Sequence, residues 1–346
     1  MSLSFEESAR RLGEVLDRHR SFLLSGHVDI DGDSLGSMLG MLYHLRRRGK
    51  DVRALCYEPI HERYAFLGGD EVVEIFDPAR HAELARSVDV FMMFDFSATS
   101  RMPGLWPLVE SGSAYRVCID HHPAESLPGH LNLHFPSEPA TGSIVLKLIE
   151  FLGGEVDRRI AEPLLVAIST DTGWFRYSNT SSAVLADAAR LLESGIDSHE
   201  VYREIYQRND TSLIRLMGRV AADVRDEANG RLLWATIPIA LVRELGVGTF
   251  ETDELLDLLR TGRDAEVVAL FRELEDGRVR VNLRSRGAVN VSRLAREVGG
   301  GGHRHAAGAS VDGPLDVAAE RMVSKARAAL EAELAAAGSS PPSRMA

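Results

Sequence analysis

The residues that could do chemistry stand where apolar runs end. The first group is His27-x-x-x-Asp31-x-Asp33, which follows Phe22-Leu23-Leu24 and precedes Met38–Leu45, where apolar residues recur at helical spacing. Asp and Gly favour turns on their own account. A loop this acidic still repels itself unless a cation holds it, and imidazole with carboxylates suits a divalent metal such as manganese. The pattern recurs along the chain. Val88–Phe94 runs into Asp95, Tyr115–Ile119 runs into Asp120-His121-His122, and Leu164–Thr170 runs into Asp171. His27, Asp31, Asp33, Asp95, His121 and Asp171 supply four carboxylates and two imidazoles, enough for two divalent cations with one carboxylate shared. Two cations about 3.5–4 Å apart clamp an in-line displacement at phosphorus and lower the pKa of the attacking water. A further group should protonate the leaving alkoxide or polarise the phosphate, and His122 is the candidate. Asp120 is expected to orient His121 or His122 by a hydrogen bond rather than to ligate.

These groups need elements that deliver them to one place. Leu164–Thr170 reads as helical, whereas Val88–Phe94 and Tyr115–Ile119, ending in Asp95 and Asp120, read as strands buried on both faces of a parallel sheet. Alternating with helical stretches, they predict a doubly wound α/β domain, in which ligands lie beyond the carboxyl ends of the strands. The expected organisation is a catalytic domain over residues 5–195, a helical connector over 196–228, a smaller α/β domain over 229–336 and a disordered tail over 337–346. In the second domain, Val267–Leu274 and Val279–Ser285 predict a hairpin around Glu275-Asp276-Gly277. The run Gly299-Gly300-Gly301-Gly302-His303 lets backbone N–H groups approach an anion, and Gly301, Gly302 and His303 are candidates for binding it. Arg284 and Arg286 could clamp a phosphate through paired guanidinium hydrogen bonds. Arg101, six residues after Asp95, is a further phosphate candidate; Ser143 and Arg176 are weaker ones. Trp174 and Phe175 read as core packing more readily than as a base-stacking surface. His44, His61, His81, His130, His134 and His199 read as surface residues.

Composition narrows the classes. The 346 residues allow two or three domains, 45% are hydrophobic, and a net charge of −11 gives no bulk field for nucleic acid or membrane. Local arginines can still bind short phosphate chains. The two cysteines make no disulfide framework, no run is long enough to span a membrane, and the N-terminus lacks the apolar centre of a signal peptide, so a cytoplasmic setting is expected.

Taken together, His27-x-x-x-Asp31-x-Asp33, the lone Asp95, Asp120-His121-His122 and Asp171 resemble the four motifs of the DHH phosphoesterase superfamily. Gly300-Gly301-Gly302-His303 with Ala306-Ala307-Gly308 resembles the signature of its DHHA1 domain. Asp171-Thr172-Gly173-x-Phe175-Arg176-Tyr177-x-Asn179-Thr180 and Leu283-Arg284-Ser285 are similar to the NrnA type, the nanoRNase and pAp-phosphatase group, and bring Ser285 into the substrate-binding set. The resemblance implies hydrolysis of very short RNAs from an end and removal of the 3′-phosphate of 3′-phosphoadenosine 5′-phosphate (pAp). It implies one metal held by His27, Asp31 and Asp95 and a second by Asp33, Asp95, His121 and Asp171, with manganese the usual ion and a homodimer common. A substrate confined between a DHH domain and a DHHA1 domain would be short. One departure is Asp29-Ile30, where relatives often carry Asn-Pro or Arg-Pro. Rival readings are a phosphodiesterase for cyclic di-AMP or its linear dinucleotide, and a catalytically idle nucleotide-binding regulator. A pyrophosphatase or a RecJ-type long-chain exonuclease is disfavoured, because nothing here supplies the C-terminal domain of the one or the added OB-fold of the other.

Overall fold

The structure is a computed structural model that describes residues 3–338 apart from Glu125, Thr249, Glu251 and His303. The chain divides into two compact units at Arg208/Asn209. The first runs in the order α1 (Phe5–Arg18), β1 (Ser21–Ser25), α2 (Gly32–Arg47), β2 (Asp51–Cys56), β3 (Val73–Ile75), α3 (Pro78–Ser87), β4 (Val90–Phe94), α4 (Leu105–Glu110), β5 (Tyr115–Asp120), β6 (Leu131–His134), α5 (Thr141–Phe151), α6 (Arg158–Asp171), α7 (Ser182–Leu192) and α8 (Ser198–Tyr206). Its six strands pair in parallel in the order β3-β2-β1-β4-β5-β6. This is the doubly wound sheet expected from the apolar runs, and every residue of β4 is buried, as a strand covered on both faces requires. Side chains of α1, α2, α5, α6 and α7 form the core on one face. Ala85 of α3 and Leu105 and Val109 of α4 pack on the other. Strand β6 is not evident in the sequence, because Leu131-Asn132-Leu133-His134 is short and only alternately apolar.

The second unit contains α9 (Thr211–Ala222), β7 (Arg225–Glu227), β8 (Leu232–Ile237), α10 (Ile239–Leu245), α11 (Asp253–Arg260), β9 (Val267–Glu273), β10 (Val279–Ser285), α12 (Val291–Arg296), β11 (Gly301–Gly302), β12 (Ala306–Val311) and α13 (Leu315–Gly338). Its mixed sheet has the order β11-β12-β10-β9-β8-β7, with β8 and β9 parallel. Strands β9 and β10 form the expected hairpin, and Gly277 takes the left-handed turn position at φ 78°. Helices α12 and α13 cover one face and α9, α10 and α11 the other. The stretch expected as a connector is thus shared out: Val201 and Ile205 of α8 join the first core, and Leu216 and Val220 of α9 join the second. Of the expected disordered tail over 337–346, Ala337 and Gly338 belong to α13 instead, and the rest, from Ser339 onward, lies outside the described residues.

Candidate metal centre

In a doubly wound sheet the ligand crevice opens beyond the strand ends where the strand order reverses. Here the reversal lies between β1 and β4. The loop after β1 carries His27, buried, and Asp31, exposed; Asp31 Oδ1 accepts a hydrogen bond from Ser34 N at 3.0 Å and caps α2. Asp33 lies in the first turn of α2 and is buried. Asp95 leaves β4 in left-handed backbone at φ 70°, with its N–H donating to Ile119 O at 2.9 Å. Asp tolerates that conformation better than most residues, and such strain concentrates at functional sites. His121 and His122 follow β5, and Asp171 is the last residue of α6.

Close helix packing brings Asp33 and Asp171 together. A Cβ added at Gly36 of α2 would overlap the Pro163 carbonyl oxygen of α6, and one at Gly32 would stand 2.5 Å from Thr170 Oγ1. Helix α5 approaches as closely: a Cβ at Gly142 would lie 2.5 Å from Ala167 Cβ. Three helices therefore converge where the strands end.

Two overlapping groups result. His27 Nε2 lies 3.8 Å from Asp31 Oδ2 and 3.8 Å from Asp95 Oδ2. His121 Nε2 lies 3.7 Å from Asp33 Oδ2, 3.5 Å from Asp95 Oδ1 and 3.7 Å from Asp171 Oδ2. The six proposed ligands are thus gathered, and the two Asp95 oxygens face different imidazoles. His121 Nδ1 donates to Glu138 O at 3.1 Å, which leaves Nε2 as the lone-pair nitrogen. His27 Nδ1 lies 2.7 Å from Val28 O and 2.8 Å from Arg101 Nη2. It cannot donate to the first and accept from the second at once. Donation to Val28 O is the tautomer that suits a cation at Nε2, and Arg101 then serves the same carbonyl at 3.3 Å.

The electrostatics call for positive charge. Burial, and then the charges of Asp33, Asp31 and Asp171, push the Asp95 carboxyl well above the ordinary carboxylate range. Burial raises Asp171 strongly and Asp33 as well, against the pull of His121 and the Thr141 and Gly142 amides on Asp33. Burial holds the His27 imidazole below its usual value. His27 Nε2 and His121 Nε2 are buried with no hydrogen-bond partner. Orphaned imidazole nitrogens among crowded carboxylates fit divalent cations. His27, Asp31 and Asp95 group within ligating reach of one another, as do Asp33, His121 and Asp171, and also Asp95, His121 and His122.

Asp120 contacts His122, not His121: its Oδ1 accepts from His122 Nδ1 and from His122 N, both at 2.9 Å. Burial pushes the Asp120 carboxyl up, but the His122 ring and amide outweigh it and the pKa lies below the ordinary value. His134 Nε2 lies 2.7 Å from the His122 carbonyl oxygen. His134 is therefore half-buried against the site, and His44 and His81 are fully buried; all three depart from the surface placement expected of them. Their helical or alternating neighbours are apolar, which was the available signal. Trp174 packs against Phe175, Tyr202 and Tyr206, and with Phe175 it lies against the first core.

The sequence gives no hint of Thr141. Its N–H donates to Asp33 Oδ2 at 2.7 Å and its hydroxyl to Asp95 Oδ1 at 2.9 Å, while Gly142 N donates to Asp33 Oδ1 at 2.8 Å. Ala140, in the cap position of α5, offers no side-chain acceptor. An alanine there leaves helix N–H groups needing a partner from elsewhere, and Asp33 is that partner.

The candidate substrate-binding residues of the second unit behave differently from one another. A cavity of about 360 Å³ is lined by Arg272, Arg280, Asn282, Arg284, Gly301 and Gly302, among others. Arg284 Nη2 donates to Asp253 Oδ1 at 2.6 Å. Arg272 and Arg280 are cross-strand neighbours that the motif reading passes over, although Arg280, Asn282 and Arg284 share one face at period two. Ser285 has the opposite parity; it is buried and its hydroxyl donates to Glu266 Oε1 at 3.2 Å. Arg286 lies beyond the strand end and its guanidinium donates to the carbonyl oxygens of Arg263, Gly262 and Arg260, at 2.6, 2.8 and 3.3 Å. Neither Ser285 nor Arg286 lines the cavity. His303 lies outside the described residues.

Residues 21–168 match the DHH family, N-terminal domain, and residues 214–336 match the DHHA1 domain. A protein of Thermus thermophilus named bifunctional oligoribonuclease and PAP phosphatase NrnA is 35% identical over 323 residues, covering 93% of this chain and 94% of its own. A protein of the same name from Mycoplasma genitalium is 26% identical over 287 residues, covering 82% of this chain and 86% of its own. A solved structure of an exopolyphosphatase-related protein from Bacteroides fragilis superposes with a TM-score of 0.88 at 23% identity, covering 94% of this chain and 97% of its own, which speaks to fold alone. With both domain matches in order and a relative aligned along almost its full length, this chain belongs to the DHH family, as a phosphoesterase whose DHH domain is followed by a DHHA1 domain.

Proposed function

We propose that the chain acts on nucleotides, hydrolysing very short oligoribonucleotides and the 3′-phosphate of pAp, with two divalent cations, manganese by preference. The observation that carries this reading is the Asp95 carboxylate, whose Oδ2 faces His27 and whose Oδ1 faces His121. One cation would be held by His27, Asp31 and Asp95, and the other by Asp33, Asp95, His121 and Asp171. When bound, the pair supplies charge neutralisation at a phosphate and an acidified water. The name of the Thermus relative supports the substrate class.

The chain's own groups then have distinct work. His27 and His121 are held in one tautomer by the carbonyls of Val28 and Glu138. Arg101, beside His27, orients a phosphate oxygen. His122 has Nδ1–H tied to Asp120, so Nε2 is the nitrogen left to face the leaving oxygen, and it would give a proton only when the ring carries one on both nitrogens. Arg284, with Gly301 and Gly302, gives the second unit's cavity the groups to hold a phosphate. The two cysteines are free and buried, which suits a cytoplasmic setting, and a homodimer completes the reading.

The test is a manganese assay comparing pAp, the dinucleotide pApA, a five-nucleotide RNA, a twenty-nucleotide RNA and cyclic di-AMP, on wild type and Asp95→Asn. Turnover of the first three, slow cleavage of the twenty-mer and a folded, inactive Asp95→Asn support the reading. Equal rates on the twenty-mer contradict a short substrate. Cyclic di-AMP as the best substrate would replace the reading with the dinucleotide phosphodiesterase.

A further inference from the structure

We infer that Thr141 is a positioning residue that divides the Asp95 carboxylate between the two cation sites. The inference rests on the two-cation reading above. For Asp95 to serve both sites, its carboxylate plane must stay fixed with one oxygen toward each imidazole. Thr141 is the hydrogen-bond donor that fixes it, at an oxygen that also has His122 Nδ1 3.4 Å away. Its hydroxyl donates to Asp95 Oδ1 at 2.9 Å, the oxygen that lies 3.5 Å from His121 Nε2. Oδ2 is thereby directed toward His27, 3.8 Å away.

The donor is itself immobile. Thr141 is fully buried, and a β-branched side chain has few χ1 states. Its backbone is tied down too, because its N–H and that of Gly142 grip both oxygens of Asp33. Ser37 Oγ adds a third donor to Asp33 Oδ1 at 3.0 Å. The first turn of α5 therefore orients one carboxylate from the loop after β4 and one from α2. The Asp33 contacts come mainly from the backbone and survive substitution at 141, whereas the Asp95 contact is carried by the hydroxyl alone. That separation makes the residue testable.

Thr141→Val keeps the shape and the N–H but removes the hydroxyl; Thr141→Ser keeps the hydroxyl. Manganese binding is followed by calorimetric titration of metal-free protein, and coupling between the two ions by electron paramagnetic resonance. Wild type is expected to bind two ions that show exchange coupling. Thr141→Val should weaken manganese binding by about 10–100-fold, the usual effect of losing a partner behind a metal ligand, and should lose the coupled signal. Thr141→Ser should restore both. Thr141→Ala, which cannot overpack, replaces Thr141→Val if circular dichroism shows that variant unfolded, with the same expectation. Valine and alanine variants that bind two coupled ions as wild type does would overturn the inference alone. A serine variant as impaired as the valine one would also overturn it, since methyl packing would then be the cause. Wild type binding fewer than two ions would remove the two-cation reading, and this inference with it.

Discussion

Asp95 concentrates the conflicts of the chain: a buried carboxylate, in left-handed backbone, beside four other carboxylates. Nothing about folding alone favours that arrangement; a ligand that neutralises it does. The consequence is pH-dependent. Asp33, Asp95 and Asp171 are held above the ordinary carboxylate range, so in the metal-free protein they keep their protons to higher pH than ordinary carboxyls do. Cation binding must expel those protons, so affinity should rise with pH through the raised carboxylate range, and protons should be released on binding. The His27 imidazole, lowered by burial, stays neutral across neutral pH and does not compete. Calorimetry of manganese binding in buffers of different ionisation enthalpy measures the release. Affinity that falls as pH rises would contradict the assignment.

At the scale of elements, the site depends on how closely α2, α5 and α6 approach. Gly36 is the tightest point, where a side chain has no room against Pro163. Gly36→Ala should lower stability by about 1–3 kcal/mol through overpacking, and should weaken manganese binding by separating Asp33 from Asp171. Urea unfolding and metal titration of the same variant check both parts. His27, Asp95 and His121 were legible because each follows an apolar strand, and one spatial rule places such strand ends together; Asp171 ends a helix instead. Thr141 was not, because its partner Asp33 is 108 residues away and no local pattern links them. His44 and His81 read as surface residues because polarity is a poor guide when packing closes over a helix. Arg284 and Arg286 both qualify as phosphate clamps by type, but the strand ends at Ser285 and Arg286 turns back to the carbonyls of Arg260, Gly262 and Arg263. The glycines of α2 are visible as a four-residue spacing, yet only the structure shows which helix they admit.

For the whole molecule, charge is divided by function. The chain carries a net −11, and its proposed cation centre is built from carboxylates, whereas three arginines line the cavity of the second unit against one aspartate. That contrast suits the proposed metal centre in the first unit and a phosphate site in the second; the DHH and DHHA1 matches, at 21–168 and 214–336, fall one on each unit. Everything in the proposed chemistry depends on Asp95 being shared by two ions. Anomalous diffraction at the manganese edge, from crystals of the full chain grown with Mn²⁺, measures that directly. Two peaks about 3.5–4 Å apart are expected, one beside each oxygen of Asp95. A single peak, or two that leave Asp95 on one side, would contradict that sharing.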